Sequence, residues 1–300
     1  MTDKRIIFHD QIARNKRNSF FLMMSIVLII CLLGLVIGLT IGYDYFFFIM
    51  IFAIVFSLVY VLASYKNSDK IALASVNAKP ADPVKHRMLI HSVESVALAS
   101  GMPVPKTYVM PGAQINAFAS GKDPKNSVIC FTEGAIEKLD KQELEGVVAH
   151  EISHIANYDI RFMTLTVVLV GMVSIISQIF LRSLFFAGGR KKGDARLQIL
   201  FIVIGIVLAI LAPIATYFVQ MAISRKREYS ADASAVKFIR SPTGLKKALI
   251  KIKNDSVSEK PNFSKAVAPL FISDPFKTNM KGLSSTHPPI EKRIEILERM

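Results

Sequence analysis

Four stretches of this chain, 20–43, 45–65, 162–181 and 197–224, contain no charged residue. Each holds about 20 residues or more, enough for a helix to cross roughly 30 Å of hydrocarbon. A single such run could be a buried helix in a large soluble protein. Four of them among 300 residues, 52% of which are hydrophobic, leave too little polar chain to cover them. The expected fold is a mainly α membrane protein with four hydrophobic helices and a separate polar part.

The formal net charge is +14, but the basic residues do not form a nucleic-acid module. They flank the apolar blocks: Lys4, Arg5, Arg14, Lys16 and Arg17 precede the first, and Lys66 and Lys70 follow the second, while the link between the two holds Asp44 and no cation. The positive-inside rule then puts the N-terminus and the region after residue 65 in the cytoplasm. Residues 1–42 do not read as a signal peptide, because the apolar run is too long, lacks a small-residue cleavage site and is followed at once by another span. The two cysteines, Cys31 in the first span and Cys130 in the polar part, suit a reducing compartment. Arg182, Arg190, Lys191, Lys192 and Arg196 run against this pattern. With the polar part cytoplasmic, the turn they flank would face outward, so the last two segments either cross fully or form a hairpin packed on protein, with Pro213 allowing a kink.

Five stretches follow: a basic segment 1–19, a two-helix membrane hairpin 20–65, a polar stretch 66–161, a second hydrophobic pair 162–224 and a polar tail 225–300. In the first polar stretch, Asp82-Pro83 predicts a helix over 82–99 that stops at Gly101. Short β-rich runs at 107–110, 114–119 and 127–131 predict a small sheet. Asp140 with Glu143 three positions on predicts a capping box, and Leu144, Val147, Val148, Ile152 and Ile155 carry the helix onward.

That helix contains His150-Glu151-Ile152-Ser153-His154. Residues four apart lie on one helical face, so both imidazoles can meet one cation, with Glu151 beside them as the general base. With only six histidines in the chain, a chance match to this pattern is improbable. A catalytic zinc site needs a third protein ligand and one open position. Beyond the last apolar block stand Glu228 and Asp232, four apart on one helix face. Glu228 can be the third ligand, with Asp232 receiving the free N–H of a ligand imidazole. The spacing equally allows a solvated acidic pair that balances Arg225, Lys226 and Arg227.

These residues resemble the HtpX heat-shock proteases and their relatives, the CAAX prenyl proteases, over nearly the whole chain. The resemblance rests on the basic start and two N-terminal spans, Asn116-Ala117-Phe118-Ala119, the histidine motif with Asn157 and Asp159 behind it, Arg225, Glu228, Asp232 and Ala235, and Ser285-Thr286-His287-Pro288-Pro289. Four hydrophobic segments rather than seven favour the HtpX branch. The resemblance implies a cytoplasmic zincin-like (gluzincin) α+β metallopeptidase domain with one Zn2+ per chain. It implies His150, His154 and Glu228 as ligands, Glu151 as catalytic base, and Asp232 and Arg225 behind the ligands. It further implies that Asn116, Ala117 and Phe118 form an exposed edge strand that holds peptide substrate through main-chain hydrogen bonds, against the plainer reading of an ordinary edge strand. His287 and Arg293 resemble a pair that stabilises the oxyanion, against the plainer reading of a His-Pro-Pro turn leading into a helix over 290–299.

His154 lies eight residues before the third apolar block, a rise of about 12 Å if helical, so the metal should sit just under the bilayer. The expectation is a zinc endopeptidase of a bacterial inner membrane, acting at the cytoplasmic surface on membrane proteins or unfolded polypeptides, with no nucleic-acid partner. A role in stress or quality control comes from the resemblance alone. The competing class is a non-proteolytic scaffold or chaperone stapled by zinc. An intramembrane protease fits less well, because the motif follows Lys138, Asp140, Lys141 and Glu145 rather than lying in a span. A transporter would want ionisable groups inside the apolar blocks.

Overall fold

The computed structural model describes residues 8–41, 43–187, 204–207, 225–255, 263, 265–273, 275 and 288–300. His287, the basic run at 190–196 and most of the fourth apolar block lie outside the described residues.

Helices α1 (Phe8–Ile41) and α2 (Tyr43–Lys66) form an antiparallel hairpin. They touch at Gly34, where a Cβ would come within 2.4 Å of the Ala53 Cβ, so glycine permits the crossing. The α2 surface is apolar all round, and Phe47, Phe48 and Phe52 are 73%, 74% and 68% exposed. Large aromatic side chains turned outward in such numbers call for lipid rather than water. Among the described residues two helices can cross a bilayer by length and composition, at Ile12–Leu32 and Asp44–Lys66.

The polar part is built on α3 (Ser68–Ser75), α4 (Arg87–Ser100), α5 (Glu133–Lys138), α6 (Lys141–Ala156) and a four-stranded mixed sheet. The strands β1 (Lys79–Pro80), β2 (Lys106–Met110), β3 (Ala117–Asp123) and β4 (Asn126–Thr132) lie in the order β1-β2-β4-β3. Only β2 and β4 run parallel. The helix expected from residue 82 starts at Arg87, because the Asp82 carboxylate accepts the N–H groups of Val84 and Lys85 and closes a turn there instead. The strand expected over 114–119 is displaced to Ala117–Asp123. Side chains claim the backbone before it: Thr132 Oγ1 donates to the Gln114 carbonyl, and Ile115 N–H donates to Asp255.

The chain after the second hydrophobic pair returns to the same core. Helices α8 (Arg225–Ile239), α9 (Thr243–Asn254) and α10 (Ile290–Glu298), with a 3-10 turn at Lys265–Leu270, follow in order. Ala235, Leu245, Leu249, Ile252 and Leu297 join Leu89, Val93, Ile129, Leu144, Val148 and Ile152 in one buried cluster. α6 and α9 are in backbone contact, since a Cβ on Gly146 would lie 2.3 Å from the Leu245 nitrogen and one on Gly244 would lie 2.2 Å from the Gln142 carbonyl. Helix α7 (Asp159–Ala187) leaves α6 at a bend of 83°. Tyr158 makes the corner with φ 59, a left-handed conformation that is uncommon for a bulky residue.

Candidate metal centre

The helix that carries the motif starts where the sequence says it should. The Asp140 carboxylate accepts the Glu143 N–H, and the Glu143 carboxylate accepts the Asp140 N–H, each at 2.8 Å. From that fixed start, His150, Glu151 and His154 fall on the buried side of α6. Glu228 comes from the first turn of α8, which packs against α6.

His150, His154 and Glu228 converge. The two Nε2 atoms are 3.2 Å apart, and each lies 3.6 Å from a Glu228 carboxylate oxygen. A tetrahedral ion with bonds of 2.0–2.1 Å would space its ligands about 3.3–3.4 Å apart. The other ring nitrogen of each histidine faces a carboxylate: His150 Nδ1 lies 2.9 Å from Asp232, and His154 Nδ1 lies 3.0 Å from Asp159. Those partners select the Nδ1–H tautomers and leave both Nε2 lone pairs pointing at one another. Two lone pairs and a carboxylate in a buried pocket require a cation between them. The donor set fits a divalent ion.

The electrostatics agree. Burial opposes ionisation of Glu228, but the hydrogen bond from His150 and the Arg293 charge outweigh it and hold the carboxyl well below its usual range. Burial and Arg293 also act against a charged His150, yet Asp232 and Glu228 prevail and push it up to about 9, so this pocket holds positive charge even as a proton. Glu151 differs, since its burial outweighs the pull of the two histidines and leaves its carboxyl raised. A raised carboxyl next to a metal is suited to taking a proton and returning it.

Arg293, fully buried on α10, binds both oxygens of Asp232 at 2.7 and 2.8 Å, and its other terminal nitrogen is 3.3 Å from Glu228. The C-terminal helix thus braces the carboxylates of α8. Arg225 is exposed at the start of α8, contrary to the place expected for it behind the ligands. Arg227, two positions on and turned to the other side, is buried instead, 3.8 Å from Asp159 and over the Phe162 ring. The edge-strand expectation also needs correction. β3 is an edge strand, but Asn116, Ala117 and Phe118 are buried, because the chain itself lies along the edge. Ile272 N–H donates to the Ala117 carbonyl, Phe271 bridges Phe118, and the Asn116 amide donates to the Ser273 carbonyl. The sequence reading missed the part played by Asp159 toward His154, as well as Arg227 and Asn15. Asp159 was visible as a residue of the resemblance, whereas Asn15 carried no signal, because its partners are more than 140 positions away.

Residues 83–300 match the pattern of peptidase family M48. The chain belongs to peptidase family M48. Within it, the chain is 47% identical to a protein named Protease HtpX homolog from Caldanaerobacter subterraneus subsp. tengcongensis over 240 residues, 79% of this chain and 80% of that one. A Protease HtpX homolog from Lactobacillus helveticus is 38% identical over 301 residues, 98% of this chain and 100% of its own length. The crystal structure of S. mikatae Ste24p superposes with a TM-score of 0.47 at 22% identity, over 95% of this chain and 66% of that one. This M48 chain is therefore a membrane metalloprotease, as its sequence led us to expect.

Proposed function

We propose that this chain is a zinc-dependent endopeptidase that cuts membrane or membrane-proximal polypeptides, misfolded ones included, at the cytoplasmic face of a bacterial inner membrane. The observation that carries it is the meeting of His150, His154 and Glu228 at tetrahedral spacing beside Glu151. Two neutral imidazoles and one carboxylate, each imidazole backed by a second carboxylate, form a donor set characteristic of catalytic zinc. One ion per chain follows from one such cluster among the described residues.

When bound, zinc supplies Lewis-acid activation of the scissile carbonyl and of the attacking water. Glu151 takes the proton of that water and passes it to the leaving amine, a task favoured by its raised carboxyl. Asp232 and Asp159 hold His150 and His154 in the ligating tautomer. Arg293 neutralises the surplus negative charge of Asp232 and Glu228.

Support for the cytoplasmic face comes from the base of the hairpin. Lys16 lies 4.3 Å over the Tyr158 ring, and Arg161 lies 5.3 Å from the rings of both Tyr65 and Tyr158. The corner just after the metal helix thus meets the end of the hairpin that carries Arg14, Lys16, Arg17 and Lys66, the end that positive-inside assigns to the cytoplasm. The same proximity favours substrates in or near the bilayer. Four membrane segments and a quality-control role rest on the apolar blocks and on the resemblance to the heat-shock proteases.

The test uses full-length protein in detergent. We expect one zinc per chain, casein cleavage that a chelator abolishes and zinc restores, and a Glu151→Gln variant that keeps its zinc but loses about 10²–10⁴-fold in rate. Undiminished cleavage by Glu151→Gln would end this mechanism. A zinc-loaded wild type without cleavage would point to a stapled scaffold.

A further inference from the structure

We propose that Asn15, at the base of the first membrane helix, is a positioning residue for the metal ligand His154, so that the hairpin is part of the metal centre as well as its anchor. The proposal rests on the zinc reading of His150, His154 and Glu228.

Asn15 is only 4% exposed. Its side-chain amide donates to the Asn157 carbonyl at 2.9 Å and to Asp159 Oδ1 at 2.6 Å. The other oxygen of Asp159, Oδ2, accepts the His154 Nδ1–H at 3.0 Å. An unbroken line of hydrogen bonds thus runs from α1 through Asp159 to the imidazole whose Nε2 faces the ion.

The energetics give the line a purpose. Asp159 is fully buried, and a buried carboxylate is stable only when donors surround it. Arg227 approaches Oδ1 only to 3.8 Å, so Asn15 supplies the close donor on that side. A neutral amide does this without cancelling the charge that Asp159 directs at His154. Without it, Oδ1 loses its close donor, and the carboxylate is free to rotate off the imidazole. The second bond, to Asn157, pins the corner where Tyr158 adopts its left-handed conformation, and so fixes where Asp159 begins. The Ser19 hydroxyl, one turn on, donates to the Asn15 backbone carbonyl at 2.8 Å. Ordinary packing of α1 against α7 would need only apolar contact. A polar side chain with both amide donors used, near the end of the Ile12–Leu32 span, has a more specific role.

The experiment measures zinc affinity by chelator competition on full-length protein in detergent, with the visible absorption of the cobalt-substituted protein as a second readout. The variants are Asn15→Ala and the near-isosteric Asn15→Leu, which keeps helix packing and removes only the donors. Lys16→Ala removes the neighbouring contact to the corner without touching Asp159, and Ser25→Ala controls for handling of α1. Direct partners of ligand histidines are worth roughly 10–100-fold in metal affinity, so one bond further out we expect a loss of about three- to tenfold for Asn15→Ala and Asn15→Leu, with a shifted cobalt spectrum. Lys16→Ala and Ser25→Ala should match the wild type. Wild-type affinity and spectrum in a folded Asn15→Leu protein would overturn the proposal, as would an equal loss in Lys16→Ala. A wild-type protein that binds no zinc would instead overturn the reading beneath it.

Discussion

Asp232 and Arg293 form a buried ion pair that serves two ends, and mutation can separate them. Asp232→Asn takes the close counter-ion from the buried Arg293 guanidinium and leaves it only Glu228 at 3.3 Å, which costs up to about 3–5 kcal/mol, and weakens the acceptor for His150 Nδ1–H from a carboxylate to an amide oxygen. We expect chemical denaturation to show that loss and chelator competition to show zinc affinity falling by about 10–100-fold. Replacing both partners, Asp232→Asn with Arg293→Met, removes the under-compensated charge and should recover much of the stability, but none of the zinc affinity. Recovery of both would mean that Asp232 acts only through Arg293. The sequence made part of this set legible for a physical reason. His150, Glu151 and His154 are local to one helical turn, and so are Glu228 and Asp232, so spacing along the chain reports spacing in space. Arg293 and Asn15 act across folds of the chain, and nothing in their own neighbourhoods distinguishes them from a solvated arginine and a polar residue in a basic lead-in. Arg225 rests on the resemblance alone, and nothing within the cluster Arg225-Lys226-Arg227 marks Arg227 as the cation that turns inward.

The helix that presents the site is held in place by a contact that a single methyl group disrupts. On Gly146 that methyl would sit 2.3 Å from the Leu245 nitrogen, and the backbone of α9 cannot yield as a side-chain tip would. Gly146→Ala should therefore lower stability by about 1–3 kcal/mol or more, although alanine is the better helix former. Among the described residues nothing lies within 4 Å of the would-be Cβ of Gly171 on α7, so Gly171→Ala should be neutral or raise stability by up to about 1 kcal/mol. Thermal unfolding of the two variants side by side checks both, and equal effects would show that the α6–α9 approach is not tight. Elements were legible where local chemistry fixes them, as in the Asp140 capping box and the left-handed Gly101 that ends α4. They were misplaced where distant side chains intervene. β3 begins at Ala117 because Asp255 and Thr132 claim the residues before it, and its edge is occupied because Asn116 reaches across to Ser273. An edge strand is recognisable from sequence, but what lies against it is a tertiary fact. Asn116→Ala removes the donor to Ser273 and should cost about 1–2 kcal/mol and speed amide exchange over 271–273. Unchanged exchange there would mean that the Ile272–Ala117 backbone bond and the Phe118–Phe271 contact hold the segment without Asn116.

The chain crosses its metal centre twice, with a hydrophobic excursion between the crossings. His150 and His154 lie before the 162–224 stretch and Glu228 lies after it, so an ion bound to all three ties α6 to α8 across that excursion. The apolar blocks announced this layout in the sequence, since composition alone marks them. Whether the second pair crosses the bilayer was not legible, because the cations at 190–196 oppose the rule that orients the first pair. The tie has a measurable consequence. Without an ion, the mutual repulsion of Glu228, Asp232 and Asp159 is offset by Arg293, Arg227 and protons on the histidines, and α8 is free to part from α6. At free zinc about a hundred times its dissociation constant, linkage contributes ~2.7 kcal/mol. Amides that exchange only when the site opens should then exchange up to about a hundredfold faster after chelation. The acceleration should appear in α8 and α10, which carry Glu228, Asp232 and Arg293, and be smaller in α4, which packs on α6 as well as on α8. Glu228→Ala should exchange rapidly with or without zinc, since it has lost the tie itself. Hydrogen exchange read by mass spectrometry on the full-length protein tests this directly. If chelation left α8 as protected as before in the wild type, the ion would be a passenger on a site already closed by Arg293, and the two halves would be joined by packing alone.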